Sequence, residues 1–349
     1  MEEQKISLAG KTQKQLKEIV SQLGMPGFTA NQIADWLYVK QVRTIAEMTN
    51  ISLKHRALLS EKYQVGLTEP AECATSTDGT RKYLFPVSDG HFVEAVFIPD
   101  NDRATLCISS QVGCKMGCVF CMTGRQRYTA SLSANEIINQ ILSLPERSLL
   151  TNVVFMGMGE PLDNLENVLA VQEILTSKWG FGWSPHRITI STVGLRRELK
   201  QLIEGCECHV AVSLHAPTPE KRIQLIPAEK AFSMTEMLEV LKRYDFSHQR
   251  RLSFEYTLFA RVNDSMDDAK QLIKTLEGLD CRINLIRFHA IPDSPLRPVG
   301  EIHMTEFRDY LTRHGVFATI RASRGEDIWA ACGMLSTARQ NEKNKDNED

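Results

Sequence analysis

Residues 105–124, TLCISSQVGCKMGCVFCMTG, set an apolar, strand-like run directly before three cysteines, Cys114, Cys118 and Cys121, spaced C-x3-C-x2-C. Three thiolates make an incomplete metal site. Structural zinc ordinarily takes four protein ligands and iron-sulfur clusters ordinarily take four cysteines. Three close ones therefore point to an iron-sulfur cluster with one iron left open to a substrate or cofactor. A zinc site completed by a distant Cys or His is the competing reading. A disulfide framework is disfavoured: the opening run MEEQKISLAGKTQKQLKEIV is polar and charged, without an apolar signal segment, and no stretch approaches membrane-spanning length. Such a chain is expected in a reducing cytoplasm, where clustered cysteines more often bind metal or do chemistry than staple a fold.

Downstream of the cysteine loop, apolar runs alternate with amphipathic ones. Strand candidates are TLCISS, NVVFMGMG, RITIST, CHVAVSLH, LSFEYTL, CRINLIRFH and FATIRA; between them lie helical patterns such as ANEIINQILSLP, LENVLAVQEILTS, MTEMLEVLKRY and DAKQLIKTLEGL. This order predicts an α/β fold with a parallel sheet, either a partial barrel or a doubly wound open sheet. In both, the carboxyl ends of the strands carry the site. Several strands end in polar or glycine-rich clusters, at Gly157 to Glu160, Ser191-Thr192, Ser213 to His215 and His289, and the cysteine loop joins them at the same mouth.

Upstream, residues 1–65 read as a small helical unit: KQLKEIVSQL, then TANQIADWLYV with Thr29 as N-cap, then a segment from Leu53 to Tyr63. Residues 66–100 alternate around the turns Thr77-Asp78-Gly79 and Ser88-Asp89-Gly90, which predicts an antiparallel β-hairpin linker region. The core is expected over 101–335. Residues 336–349, with the polar run ARQNEKNKDNED, read as a disordered tail. At 349 residues, 42% hydrophobic and 24% charged, the chain can bury one large core and a smaller unit. Its formal net charge of -2 excludes a globally basic nucleic-acid binder. Any RNA would be held by local patches such as Arg125 with Arg127, Arg196 with Arg197, or Arg250 with Arg251, each of which could equally be a solvated face.

Other residues carry chemistry in context. GMGEP, Gly157 to Pro161, follows a buried strand; its glycines admit a ligand to the backbone and Glu160 could accept hydrogen bonds from an amine, or simply cap a tight turn. In HFVEAVFIPD, alternation puts Glu94 on one face with Phe92, Val96 and Ile98. A carboxylate there is either a general base or half of a buried ion pair. Cys107 and Cys332 lie outside the triplet, one on the opening strand and one in GEDIWAACGML, and both can reach the mouth. Cys73, Cys206, Cys208 and Cys281 read as small core residues.

With CISSQVGCKMGCVFCMTG, FMGMGEP, ISTVGL, VSLHAP and AACG together, nearly the whole chain resembles the radical S-adenosylmethionine (SAM) RNA adenine methyltransferases of the RlmN and Cfr family. The resemblance implies a partial (β/α)6-type radical-SAM barrel with an N-terminal helical accessory domain that helps to grip RNA. It implies a [4Fe-4S] cluster on Cys114, Cys118 and Cys121, and two SAM molecules per turnover, bound by Gly159, Glu160, Ser191, Ser213, Leu214, His215 and His289. His289 stands where many relatives carry asparagine. One SAM would methylate Cys332; the other would be cleaved to a 5'-deoxyadenosyl radical that activates this methyl group for addition to adenine. Glu94 would then remove the ring proton and Cys107 would release the product by forming a disulfide with Cys332. The implied substrates are adenosine 2503 of 23S ribosomal RNA and adenosine 37 of transfer RNA, methylated at carbon 2, with a flavodoxin or ferredoxin system as electron donor and a cytoplasmic monomer as the working form. Carbon-8 methylation of the same ribosomal base, as by Cfr-type relatives, uses the same residues. A non-catalytic iron-sulfur or zinc redox protein is the reading from a different class.

Overall fold

The structure, a computed structural model, describes residues 5–246 and 252–337. Two short strands, β1 (Ile6–Ser7) and β2 (Tyr63–Gln64), pair in parallel and bring together the two ends of the N-terminal helical unit. Between them lie α1 (Gln13–Gln22), α2 (Thr29–Ala34) and α3 (Leu53–Lys62). Helix α1 begins with a reciprocal box: Thr12 Oγ1 accepts from Gln15 N, and the Gln15 side chain accepts from Thr12 N. Thr29, expected to cap its helix, lies inside it instead. Its N-cap is Phe28, with no side-chain bond, and Thr29 is buried because the preceding residues already turn as a helix.

One ten-stranded sheet carries the rest. Its antiparallel part is β3 (Glu72–Thr75), β4 (Arg81–Pro86) and β5 (Phe92–Asp100), which joins β6 (Arg103–Cys107). The expected hairpin linker is thus the edge of the core sheet itself. A separate two-stranded ribbon, β7 (Gln111–Val112) with β8 (Ala130–Ser131), flanks the cysteine loop. From β6 the strands run in parallel, in the order β9 (Asn152–Phe155), β10 (Ile188–Thr192), β11 (His209–Ser213), β12 (Leu252–Leu258), β13 (Arg282–Arg287) and β14 (Ala318–Ile320). The order never reverses, so there is no switch point and the doubly wound alternative fails. β14 pairs with β13 and not with β6, which leaves the barrel open. All seven strand candidates are present in the parallel part: β6 and β9 to β13 make six, and three-residue β14, within FATIRA, forms the edge.

The helices are α4 (Met122–Arg125), α5 (Ala134–Leu142), α6 (Leu165–Thr176), α7 (Arg196–Gly205), α8 (Pro219–Leu225), α9 (Met234–Leu241), α10 (Met266–Thr275) and α11 (Glu301–Arg313). Every residue of β12 is buried, as a strand covered on both faces requires. Among the described residues no helix is long and apolar enough to cross a membrane.

The N-terminal unit docks on α5. Asn135 Nδ2 donates to the carbonyls of Ala9 and Gly66 at 3.2 and 2.9 Å, and Asn139 Oδ1 accepts from Thr68 N at 2.9 Å. Gly10 sits at φ +84°, where an added Cβ would come within 2.4 Å of Asn135 N. Gly10→Ala therefore combines left-handed strain of roughly 1–2 kcal/mol with a backbone clash. We expect earlier melting and faster proteolysis in the segment 66–71; an unchanged melt and cleavage rate would show that this contact does not hold the unit.

Ser336 and Thr337 are not part of a loose tail. Ser336 N donates to Glu94 Oε2 at 2.9 Å, and Thr337 is buried with its N–H directed at Gln126 Oε1 at 3.2 Å. The remainder of the expected tail lies outside the described residues, as do Arg250 and Arg251.

Candidate functional site

The ends of β9, β10, β11, β12 and β13 surround a cavity bordered by Cys114, Cys118, Cys121, Gly159, Glu160, Ser191, Ser213, His215, Glu255 and Cys332 among others. The three clustered cysteines thus border the same cavity as most of the residues expected to hold SAM. Their loop is fixed from several sides. Val119 N donates to Leu225 O at 3.0 Å, Met122 N to Gly333 O at 2.8 Å, and the Phe120 ring lies 4.7 Å from that of His215 and 5.4 Å from that of Phe259. Gly124 packs against the Cys118 backbone so closely that a Cβ would meet its carbonyl oxygen at 2.8 Å.

Burial pushes the Cys114 thiol up to about 12, and raises those of Cys118 and Cys121, so a bound cation is needed to hold three thiolates there. No group of three or more His, Cys, Asp and Glu among the described residues converges on a single ion. A cubane cluster needs no such convergence, because each thiolate binds a different iron corner. The donor set therefore suits a [4Fe-4S] cluster and offers no tetrahedral zinc cage.

Glu160 is buried, at 3% exposure; its two oxygens accept from Leu162 N at 3.1 Å and Val193 N at 3.0 Å. It therefore caps the turn after β9, as one of the two sequence readings expects, and it also borders the cavity. Burial lifts its carboxyl to about 7. His215, at φ 56°, accepts from Thr257 N through Nδ1 at 2.9 Å, which puts its ring proton on Nε2. Burial holds the ring neutral, down to about 3. Leu214 stays in the core, where its amide donates to Glu255 O at 3.1 Å; it does not border the cavity.

His289 is placed differently from its expected SAM contact. It borders an adjoining cavity, with Nε2 2.8 Å from Ser323 Oγ and Nδ1 3.1 Å from Glu326 Oε1. That cavity carries a surplus of positive charge, lined by Arg103, Arg287, Arg321 and Arg324 against Asp100, which pairs with Arg324 at 3.1 Å. Cys332 borders both cavities. Cys107 lies at the end of β6 opposite Val96 and Val154, within electrostatic reach of Cys332. Both thiols are free, and burial lifts that of Cys107 to about 12. Glu94 is in an ion pair, Oε1 2.9 Å from Lys82 Nζ, and does not border the first cavity.

Two family models match the chain. The radical SAM superfamily model covers residues 108–273, and the ribosomal RNA large subunit methyltransferase N-terminal domain model covers 6–65. A probable dual-specificity RNA methyltransferase RlmN from Bacteroides fragilis is 64% identical over 341 residues, 98% of this chain and 99% of the relative. The chain belongs to the RlmN family of radical SAM RNA methyltransferases. The dual-specificity RNA methyltransferase RlmN of Paracoccus denitrificans is 40% identical over 96% of this chain and 90% of its own length. A crystal structure of a radical SAM methyltransferase from Sphaerobacter thermophilus superposes with a TM-score of 0.88 at 36% identity, covering 95% of this chain and 99% of that one. As an RlmN-family enzyme the chain uses a [4Fe-4S] cluster and SAM, and its substrate is RNA.

Three site residues escaped the sequence reading. Glu255, on buried β12, accepts from Asn284 Nδ2 at 2.7 Å and faces Arg321 Nη1 at 3.3 Å. A carboxylate inside LSFEYTL was the same signal that singled out Glu94. Arg321 borders both cavities, and its ion pair with Glu255 favours the charged guanidinium against burial. Arg222 carried no signal, since PEKRIQL reads as an ordinary surface helix.

Proposed function

We propose that this enzyme methylates carbon 2 of adenine in 23S ribosomal RNA, at adenosine 2503, and in transfer RNA, at adenosine 37, through a methyl group carried on Cys332. The observation that carries the reading is that Cys332 borders both the cysteine-lined cavity and the arginine-lined one. Carbon 2 of adenine is not nucleophilic, so a polar methyl transfer cannot reach it. With the cluster bound, one-electron cleavage of SAM supplies a 5'-deoxyadenosyl radical. A first SAM methylates the Cys332 thiol, and a second is the source of the radical, giving two per turnover.

The residues of the chain divide the remaining work. Gly159, Glu160, Ser191, Ser213 and His215 hold SAM along the first cavity, with the Glu160 carboxylate as acceptor for its ammonium group. The arginines of the second cavity face the phosphates of an unstacked target nucleotide. The methyl carbon on the sulfur of Cys332 would bridge the two: it would give up a hydrogen atom to the radical and bond to carbon 2 of the ring. Glu94 would then take the ring proton as the unpaired electron is returned to the bound cluster. Cys107 would attack the sulfur of Cys332, breaking its bond to the former methyl carbon, which picks up a proton as the methylated base leaves; the disulfide that remains is reduced before the next turnover. Residues 1–65 extend the RNA contact. Electrons come from a flavodoxin or ferredoxin system, and the enzyme works as a cytoplasmic monomer.

Mass spectrometry of RNA fragments from a host lacking this protein tests the reading. Loss of 2-methyladenosine from both RNAs is expected. Loss of only the 8-methyl isomer would place the chemistry on the other edge of the base.

A further inference from the structure

The Glu94 carboxylate has neighbours on three segments of chain. Lys82, on β4, stands opposite Val96, while Glu94 stands opposite Leu84, so the two lie on a diagonal of one sheet face. Their side chains are 17% and 5% exposed, and Lys82 Nζ is 2.9 Å from Glu94 Oε1. The same ammonium donates to Trp329 O at 3.3 Å. The other carboxylate oxygen accepts from Ser336 N at 2.9 Å. Trp329 and Ser336 bracket Cys332. Around the carboxylate, Lys82 is the one charged group acting on it among the described residues; Ser109 Oγ and Met158 Sδ touch only the Glu94 backbone.

The same hairpin holds the approach to the loop. Asp78 Oδ2 accepts from Gly325 N at 2.9 Å, and Asp327 accepts from Ser76 Oγ and Thr77 N at 2.5 and 3.1 Å. On the far side, α4 fixes the exit: Thr123 Oγ1 donates to Leu335 O at 2.6 Å. The segment bearing Cys332 is therefore suspended between the β3–β4 hairpin and the cysteine loop. Lys82 is where the hairpin meets both that segment and the buried carboxylate.

We propose that Lys82 is the positioning residue for the base, keeping Glu94 ionised in its buried place and tying it through the Trp329 carbonyl to the loop that carries Cys332. This rests on the reading of Glu94 as the base. Burial alone favours the neutral carboxyl, and the cation opposes it. Removing the cation raises the carboxyl pKa, so the ionised base persists only at higher pH.

The test compares wild type, Lys82→Met, Lys82→Arg and Glu94→Gln, each purified without oxygen and loaded with cluster. Methylation rate is followed against pH, and covalent protein–RNA adduct is read on denaturing gels. In Lys82→Met the acid-side midpoint should move up by roughly one to three pH units, with adduct accumulating near neutrality and cluster absorbance unchanged. Lys82→Arg should restore both. An unmoved midpoint with a lower rate would overturn the proposal, leaving Lys82 a structural residue. Should the Met variant not fold, Lys82→Gln, which keeps a donor for Trp329 O, carries the same expectation. If Glu94→Gln fails to accumulate adduct, the base reading itself falls; if it traps adduct while Lys82→Met matches wild type, only the role of Lys82 falls.

Discussion

Replacing Cys332 with Ala is expected to abolish RNA methylation and to leave the cluster absorbance intact. Cys332 is exposed, and its segment is held by backbone bonds that do not use the thiol, such as Met122 N to Gly333 O at 2.8 Å. Removing one exposed sulfur changes stability by no more than about 0.5 kcal/mol. The functional loss is of a different order, because no other thiol is known to border both cavities: Cys114, Cys118 and Cys121 border only the first. The variant also decides against a four-ligand metal site. Were Cys332 the fourth ligand of a zinc or a closed cluster, its loss would weaken metal retention along with activity. Measured together, iron content, absorbance and methyl incorporation separate the cases, and methylation that survives would sink the methyl-cysteine route.

The parallel sheet was legible because buried strands announce themselves. NVVF, RITIST and CHVAVSLH are apolar runs ended by polar or glycine clusters, and each became a parallel strand whose end faces the cavity. The choice between barrel and open sheet was not legible, since it depends on whether each crossover adds to the same edge. Helices α7, α8 and α11 were less visible than α5, because only α5 has a nearly continuous apolar set behind a serine cap. In the site, the cysteine spacing and GMGEP were readable as local patterns. The Lys82–Glu94 pair was open in sequence, since alternation gives the face of a strand but not the residue across it.

Arg222 marks the limit of such reading, and its replacement carries the largest expected cost to stability. The side chain is 1% exposed. Its Nη2 donates to Val193 O at 2.7 Å and Ser213 O at 2.9 Å, and its Nε to Leu214 O at 3.2 Å. Nη1 pairs with buried Glu229, whose other oxygen caps α9 by accepting from Met234 N at 2.8 Å. One guanidinium thus joins the ends of β10 and β11, where Ser191 and Ser213 border the cavity, to the start of α9. Arg222→Leu removes the partner of a buried carboxylate and strips donors from three carbonyls, a loss of about 3–5 kcal/mol. Against the roughly 5–15 kcal/mol that separates folded from unfolded chains, that is enough to lower the denaturation midpoint sharply and to reduce soluble yield. Lysine cannot substitute, because a single ammonium does not match a fork of carbonyls. The double variant Arg222→Leu with Glu229→Leu removes both charges and should recover much of the stability, since a buried pair replaced whole by apolar groups is often neutral. SAM binding should remain impaired in it, because the carbonyls of Val193, Ser213 and Leu214 still lack their common donor. A double variant no more stable than the single one would show that the network acts through its carbonyl contacts rather than through charge.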